Sequence, residues 1–218
     1  MKLRKSILAA AVVTSMGLAA GTAQASVYAA SSLELRNLTI FFATAINTPG
    51  PQQTVTNFNF DATNTAFLNN VGDTKNDSCS GRPADNNCGP AGAVLDAPVA
   101  NAPGGAPVQV NNAFAFQGPG ASQYSWADSL VTEAQLSTGN PTATKQATES
   151  ELQTGFQASA NTNIQSTTVF EFSFTVAGTN NLQLTFEADP FLRAAILGEP
   201  TGTFTAQANI AATFTLTN

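Results

Sequence analysis

Histidine is absent from this chain, which removes the group that serves Ser-His-Asp triads and most zinc hydrolases in proton transfer or ligation. Cysteine is scarce. Cys79 and Cys88 are the only two, and without a third thiolate or an imidazole they do not complete a tetrahedral metal site. Cations are few, with 8 Lys and Arg against 14 Asp and Glu, an imbalance that speaks against nucleic acid, whose phosphates require clustered basic side chains. It speaks equally against anionic membrane surfaces. One Trp and two Tyr are too few for the aromatic girdles of an outer-membrane β-barrel, and long Gly/Pro/Asn stretches stand where such a barrel has short turns. Gly118-Pro119-Gly120 and Gly104-Gly105 have no Lys-Ser/Thr after them, so they read as turns and not as phosphate cradles.

What is present begins with a targeting segment. Lys2, Arg4 and Lys5 precede a small and apolar run over residues 6–20, and Ala23-Gln24-Ala25 ends in front of Ser26. This is the layout of a secretory signal peptide cut after Ala25. Removing it takes three cations and leaves a chain of 193 residues with a net charge of −9, enough for one sizeable domain. Export places the cysteines in an oxidising compartment, where a Cys79–Cys88 disulfide is expected to close a short loop. No membrane span is expected once the leader is gone, and the expected location is extracellular or on the cell surface.

Period-two alternation dominates the rest and predicts an all-β fold, an antiparallel sandwich of jelly-roll-like type with at most one or two short helices. Leu33 and Leu35, then Leu38, Ile40 and Phe42, alternate with polar neighbours apart from a phase slip near Asn37 that suggests a bulge. Phe58 and Phe60 begin a second run. Phe170, Phe172, Phe174 and Val176, a turn at 178–181, and Leu182, Leu184, Phe186 and Ala188 read as a β-hairpin. A last run alternates over Phe204, Ala206, Ala208, Ile210, Ala212, Phe214 and Leu216. Residues 125–138 are the longest helix candidate, and Asp189-Pro190 could open one helical turn that pairs Asp189 with Arg193. Two stretches look like insertions between strands: a Gly/Pro/Asn-rich excursion at about 69–112 and a polar segment at 138–153. The domain is thus a single sandwich over 26–218.

Several residues are candidates for chemistry. Glu149 with Glu151, and Glu187 with Asp189, are pairs two apart that share a face on a strand, the minimum for a carboxylate glycosidase; the plainer expectation is acids facing solvent. Asp73, Asp77 and Asp85 gather oxygen ligands near the expected disulfide, a weak calcium pattern that lacks EF-hand spacing. No other cofactor is implied. Tyr124 and Trp126 alternate and so could offer one aromatic face to a sugar ring, against the commoner fate of core burial.

The carboxy-terminal residues Phe170-Glu171-Phe172-Ser173-Phe174-Thr175-Val176, Leu184-Thr185-Phe186-Glu187-Ala188-Asp189-Pro190-Phe191-Leu192-Arg193-Ala194, and Ala206-Gln207-Ala208-Asn209 with Phe214-Thr215-Leu216 carry a family likeness. Over about residues 124–218 the chain resembles small secreted β-rich surface proteins of Gram-negative bacteria with an exosortase-type (PEP-CTERM-like) anchor. The sorting motif and apolar span of that family do not follow Leu216, so a truncated ectodomain or a released protein is expected. The resemblance implies a cell-surface or matrix role and carries no catalytic residues. The leading expectation is an exported, non-catalytic structural or adhesive protein, which pairs with itself through strand edges. The alternative is a glycan-binding sandwich that uses Tyr124 and Trp126.

Overall fold

The structure is a computed structural model that describes residues 25–43, 55–81, 94–102, 108–120, 122–132, 142–153, 162–174, 181–198, 205–210 and 213. The expected leader, Asp85, Cys88 and most of the last alternating run lie outside these residues. Eight strands make up the regular structure: β1 Ser26–Ala43, β2 Val55–Leu68, β3 Val71–Gly81, β4 Val94–Asn101, β5 Tyr124–Thr132, β6 Thr142–Gln153, β7 Thr162–Phe174 and β8 Asn181–Leu197. The fold is all-β, with no helix among the described residues. The strands form two open antiparallel sheets, β4-β5-β6-β1-β8 and β3-β2-β7, the arrangement of a β-sandwich.

Local sequence explains the turns. The phase slip near Asn37 is a bulge that shifts β1 against both neighbours, between Leu35 and Leu38 toward β6 and between Arg36 and Thr39 toward β8. Asn37 takes φ 55° there, the left-handed region that Asn tolerates better than most residues. Leu68 pairs with Val71 across Asn69 and Asn70, and both asparagines have positive φ. This is the requirement of a two-residue I′ hairpin. Gly72 follows because a Cβ there would lie 2.1 Å from the carbonyl oxygen of Ala66.

The three-stranded sheet packs over β4, β5 and β6. Between the sheets lie Phe60, Ala62, Leu95, Ala97 and Val131, with Cys79 and Phe170 against them. Phe60 and Phe170 meet edge to face at 5.2 Å between ring centroids, a favoured aromatic geometry. Asn64 is buried in the same layer, and its Nδ2 donates to the carbonyls of Ala97 at 3.1 Å and Pro98 at 3.3 Å. Those carbonyls sit where the β4–β5 register slips between Ala97 and Ala100, so the side chain satisfies groups that the ladder leaves free.

Five sequence expectations are corrected. The excursion at 69–112 contains β3 and β4, whose turn-forming Asn and Asp residues mask strands that need little apolar surface. The polar stretch at 138–153 contains β6, an interior strand of the larger sheet. Residues 125–132 of the helix candidate belong to β5, which is buried at nearly every position. The runs at 170 and 182 do not form a hairpin, since β7 pairs with β2 and β8 with β1. Alternation reports a buried face but not which sheet supplies it. β8 also runs unbroken through Asp189 and Arg193, and four residues of strand separate their Cα atoms by about 13 Å, so the helical pairing is absent.

Candidate functional site

The outer face of β5 and β6, opposite the three-stranded sheet, is covered by a strap of residues 108–120. Tyr124, Trp126 and Asp128 of β5 point toward it, with Ala147, Glu149 and Glu151 of β6 opposite them in the ladder. Phe114 and Phe116 of the strap pack against the cluster of Tyr124, Trp126 and Ala147. Phe116 also lies 6.0 Å from the Trp126 ring and 4.9 Å from Phe191 on β8, centroid to centroid. Strands β5 and β6 are therefore buried on both faces. That explains why β6 lacks the alternation of a half-exposed strand.

Carboxylates hold the strap. Glu149 is fully buried and accepts four hydrogen bonds: from Tyr28 Oη at 2.6 Å, Trp126 Nε1 at 2.9 Å, and the backbone N–H groups of Gln117 at 2.9 Å and Gly118 at 2.7 Å. Four donors occupy the acceptor sites of one carboxylate. Glu151 accepts from the Gly120 N–H at 2.7 Å, and its Oε1 is buried without a hydrogen-bond partner among the described residues. Asp128 accepts from the Asn112 N–H at 2.7 Å, while Asp96 accepts from Asn112 Nδ2 at 2.7 Å and Asn111 Nδ2 at 3.1 Å. The strap thus brings main-chain donors to Glu149, Glu151 and Asp128, which the sheet has already taken out of water, where an unpaired charge would be very costly.

Burial sets the proton affinities. It pushes Tyr28 well above the ordinary phenol range, helped by its hydrogen bond to Glu149 and by the charge of that carboxylate. Tyr124 is raised as well, first by burial and then by the charge of Glu149. Both remain hydrogen-bond donors at neutral pH, and Tyr124 Oη donates to the Gly118 carbonyl at 2.8 Å. Asp128 is pushed up to about 6 by burial, against the lowering effect of its bonds from Asn112 and Ser129.

The sequence candidates fall out as follows. Trp126 and Tyr124 are 0% and 2% exposed, so neither offers an open ring face to a sugar, and the stacking platform is corrected to a buried cluster. Glu149 and Glu151 share a face, as their spacing requires, but they face the strap and not solvent. Glu187 and Asp189 are the exposed pair. Asp73 and Asp77 stand four residues apart on β3, about 13 Å along the strand, too far to ligate one calcium ion at 2.3–2.6 Å. Asp73 instead pairs with Lys75 at 2.9 Å, and Asp77 accepts from the Asp96 N–H at 2.9 Å. No cluster of acidic or sulfur ligands suited to a metal occurs among the described residues. Cys79 sits on β3, and no described cysteine is free.

Sequence reasoning missed Tyr28, Asp96, Asp128 and the strap. The alternation of Phe114 and Phe116 in a Gly/Pro-rich setting was the one available signal. It also missed the character of β8. That strand forms an edge of the larger sheet and is exposed on both faces over residues 186–194. Phe186, Phe191, Leu192 and Ile196 are 40%, 41%, 52% and 47% exposed. Arg193 lies over the Tyr28 ring at 5.2 Å, and Pro190, of a type confined to sheet edges because it cannot donate to a ladder, lies near the middle of the strand.

No family model matches the chain, and no curated protein or solved structure matches it either. No described helix is long and apolar enough to cross a membrane.

Proposed function

We propose that this chain is an exported, non-catalytic structural or adhesive protein of the cell surface or extracellular matrix that associates with copies of itself through a strand edge. The observation that carries the reading is β8, a 17-residue edge strand with four large apolar side chains that are each 40–52% exposed. Edge strands of this length are ordinarily paired, covered or blunted, because their free N–H and C=O groups template pairing with another chain. The buried pair Glu149 and Glu151 adds support from the opposite direction. Glu149 has no acceptor site left for a substrate proton, and its bonds hold the strap in place. The leader-like amino terminus and the resemblance to anchored surface proteins support the extracellular setting.

Light scattering and electron microscopy of the processed protein across a wide concentration range test the proposal. The expected result is a mass that grows with concentration. A strict monomer at every concentration overturns it.

A further inference from the structure

Residues 205–210, Thr-Ala-Gln-Ala-Asn-Ile, belong to neither sheet, yet they alternate between exposed and half-buried positions. Ala206, Ala208 and Ile210 form the half-buried set. In sequence the same alternation extends back to Phe204 and on to Phe214 and Leu216. From Thr201 to Asn218 the chain has no charged side chain and no proline, the composition that pairs most readily as a strand and lacks the residues that normally block pairing. This uncharged segment begins only a few residues after β8 ends at Leu197, beyond a turn at Gly198 with φ 79°. Within one chain the described part of it leaves the β8 edge unpaired.

The geometry points to an intermolecular strand exchange, in which residues 205–210 of one copy pair with residues 192–197 of β8 in a second copy. This rests on the self-association reading above and specifies its route. The acceptor window avoids Pro190. It presents Leu192, Ala194 and Ile196 on one face, where Leu192 and Ile196 are large and solvent-exposed, and its single charge, Arg193, points to the other face over Tyr28. A donor strand there sets Ala206, Ala208 and Ile210 beside Leu192, Ala194 and Ile196, so the apolar row doubles in width while no new charge is buried. Six residues are an ordinary strand length. Because donor and acceptor are different surfaces, the contact is heterologous, and repetition gives an open chain of copies and not a closed pair.

The test uses the processed full chain and two variants, with mass read by light scattering after size exclusion. Ala208→Pro removes a ladder donor from the inserting strand. Leu192→Lys with Ile196→Lys places charge on the accepting face at exposed positions, where the fold itself should tolerate it. Each variant alone is expected to stay monomeric at concentrations where the parent assembles. Their mixture is expected to form a one-to-one pair of twice the monomer mass and nothing larger, since only one donor and one acceptor remain between them. Formation of that pair also shows that both variants are folded. Ile210→Lys serves in place of Ala208→Pro if circular dichroism shows that the proline variant has lost its sheet signal. Assembly that survives both donor variants, as an edge-to-edge pairing of two β8 strands would, overturns the exchange but leaves self-association standing. A mixture that stays monomeric or grows beyond the pair also overturns the exchange, and a parent chain that never assembles overturns both.

Discussion

A buried carboxylate that accepts four hydrogen bonds has little tolerance for losing an acceptor oxygen. Glu149→Gln keeps the shape of the side chain but turns an NH2 group toward two donors. The expected loss is about 2–6 kcal/mol, from about 1–3 kcal/mol for each of the two buried donors left unpaired. Urea unfolding followed by Trp126 fluorescence reads it, because the single Trp donates to that carboxylate and reports its surroundings directly. Glu187→Gln on exposed β8 is the control and should change stability by less than about 0.5 kcal/mol. Asp128 makes a prediction with a definite sign. Its pKa in the fold is about 6, above the ordinary carboxyl value of 3.8, so between these values the native state holds more of this proton than the unfolded chain does. Its contribution to stability is therefore fully present below about pH 4 and is lost as pH rises toward 6. Comparing urea midpoints of the parent and Asp128→Asn from pH 4 to 7 should show this falling component in the parent and its absence in the variant. Parallel profiles would mean that Asp128 does not titrate in that range. That spacing puts Glu149 and Glu151 on one face is legible from period two. Which face it is depends on a strap that lies some 30 residues earlier in the chain.

At the scale of elements, the β2–β3 hairpin is the most sharply specified piece. Asn69 and Asn70 supply the left-handed pair, and Gly72 leaves room for the Ala66 carbonyl. Gly72→Ala is expected to cost about 1–3 kcal/mol, the usual range for forcing an atom into occupied space, and a lowered thermal midpoint with unchanged sheet signal in circular dichroism would record it. Strands with large alternating apolar residues, such as β1 and β2, are readable from the chain alone. Strands β3 and β6 are not, for opposite reasons. β3 is an edge whose side chains are largely polar and solvated, so its Asn and Asp residues look like loop. β6 is covered on both faces, and its Glu149, Glu151, Thr144 and Thr148 side chains are accommodated by hydrogen bonds to neighbours, a compensation that hydrophobic patterning does not register. The connection between β7 and β8 was misread because a short separation of two alternating runs favours a hairpin, whereas here the chain changes sheets.

For the whole molecule, two forces oppose each other. A net charge of −6 over the sequence repels copies at long range, while the exposed apolar side chains of β8 attract at contact. Raising ionic strength from about 10 mM to about 150 mM shortens the screening length from about 30 Å to about 8 Å. Association is therefore expected to shift to lower protein concentration as salt is added, measured by sedimentation velocity over a salt series. If salt instead dissociates the complexes, ion pairs and not apolar contacts hold them together.

The sequence by itself determined the fold class, the bulge at Asn37, the lack of histidine in this chain and the acidic balance, because each of these follows from residue type or from a period that needs no distant partner. Only the tertiary structure decided that Trp126 is buried and not displayed, that Glu149 anchors a strap, and that β8 is the edge strand of its sheet among the described residues. Those properties depend on which segment lies against a given face. Strand alternation specifies that a face is covered, but the identity of its cover is a long-range choice among segments of similar pattern.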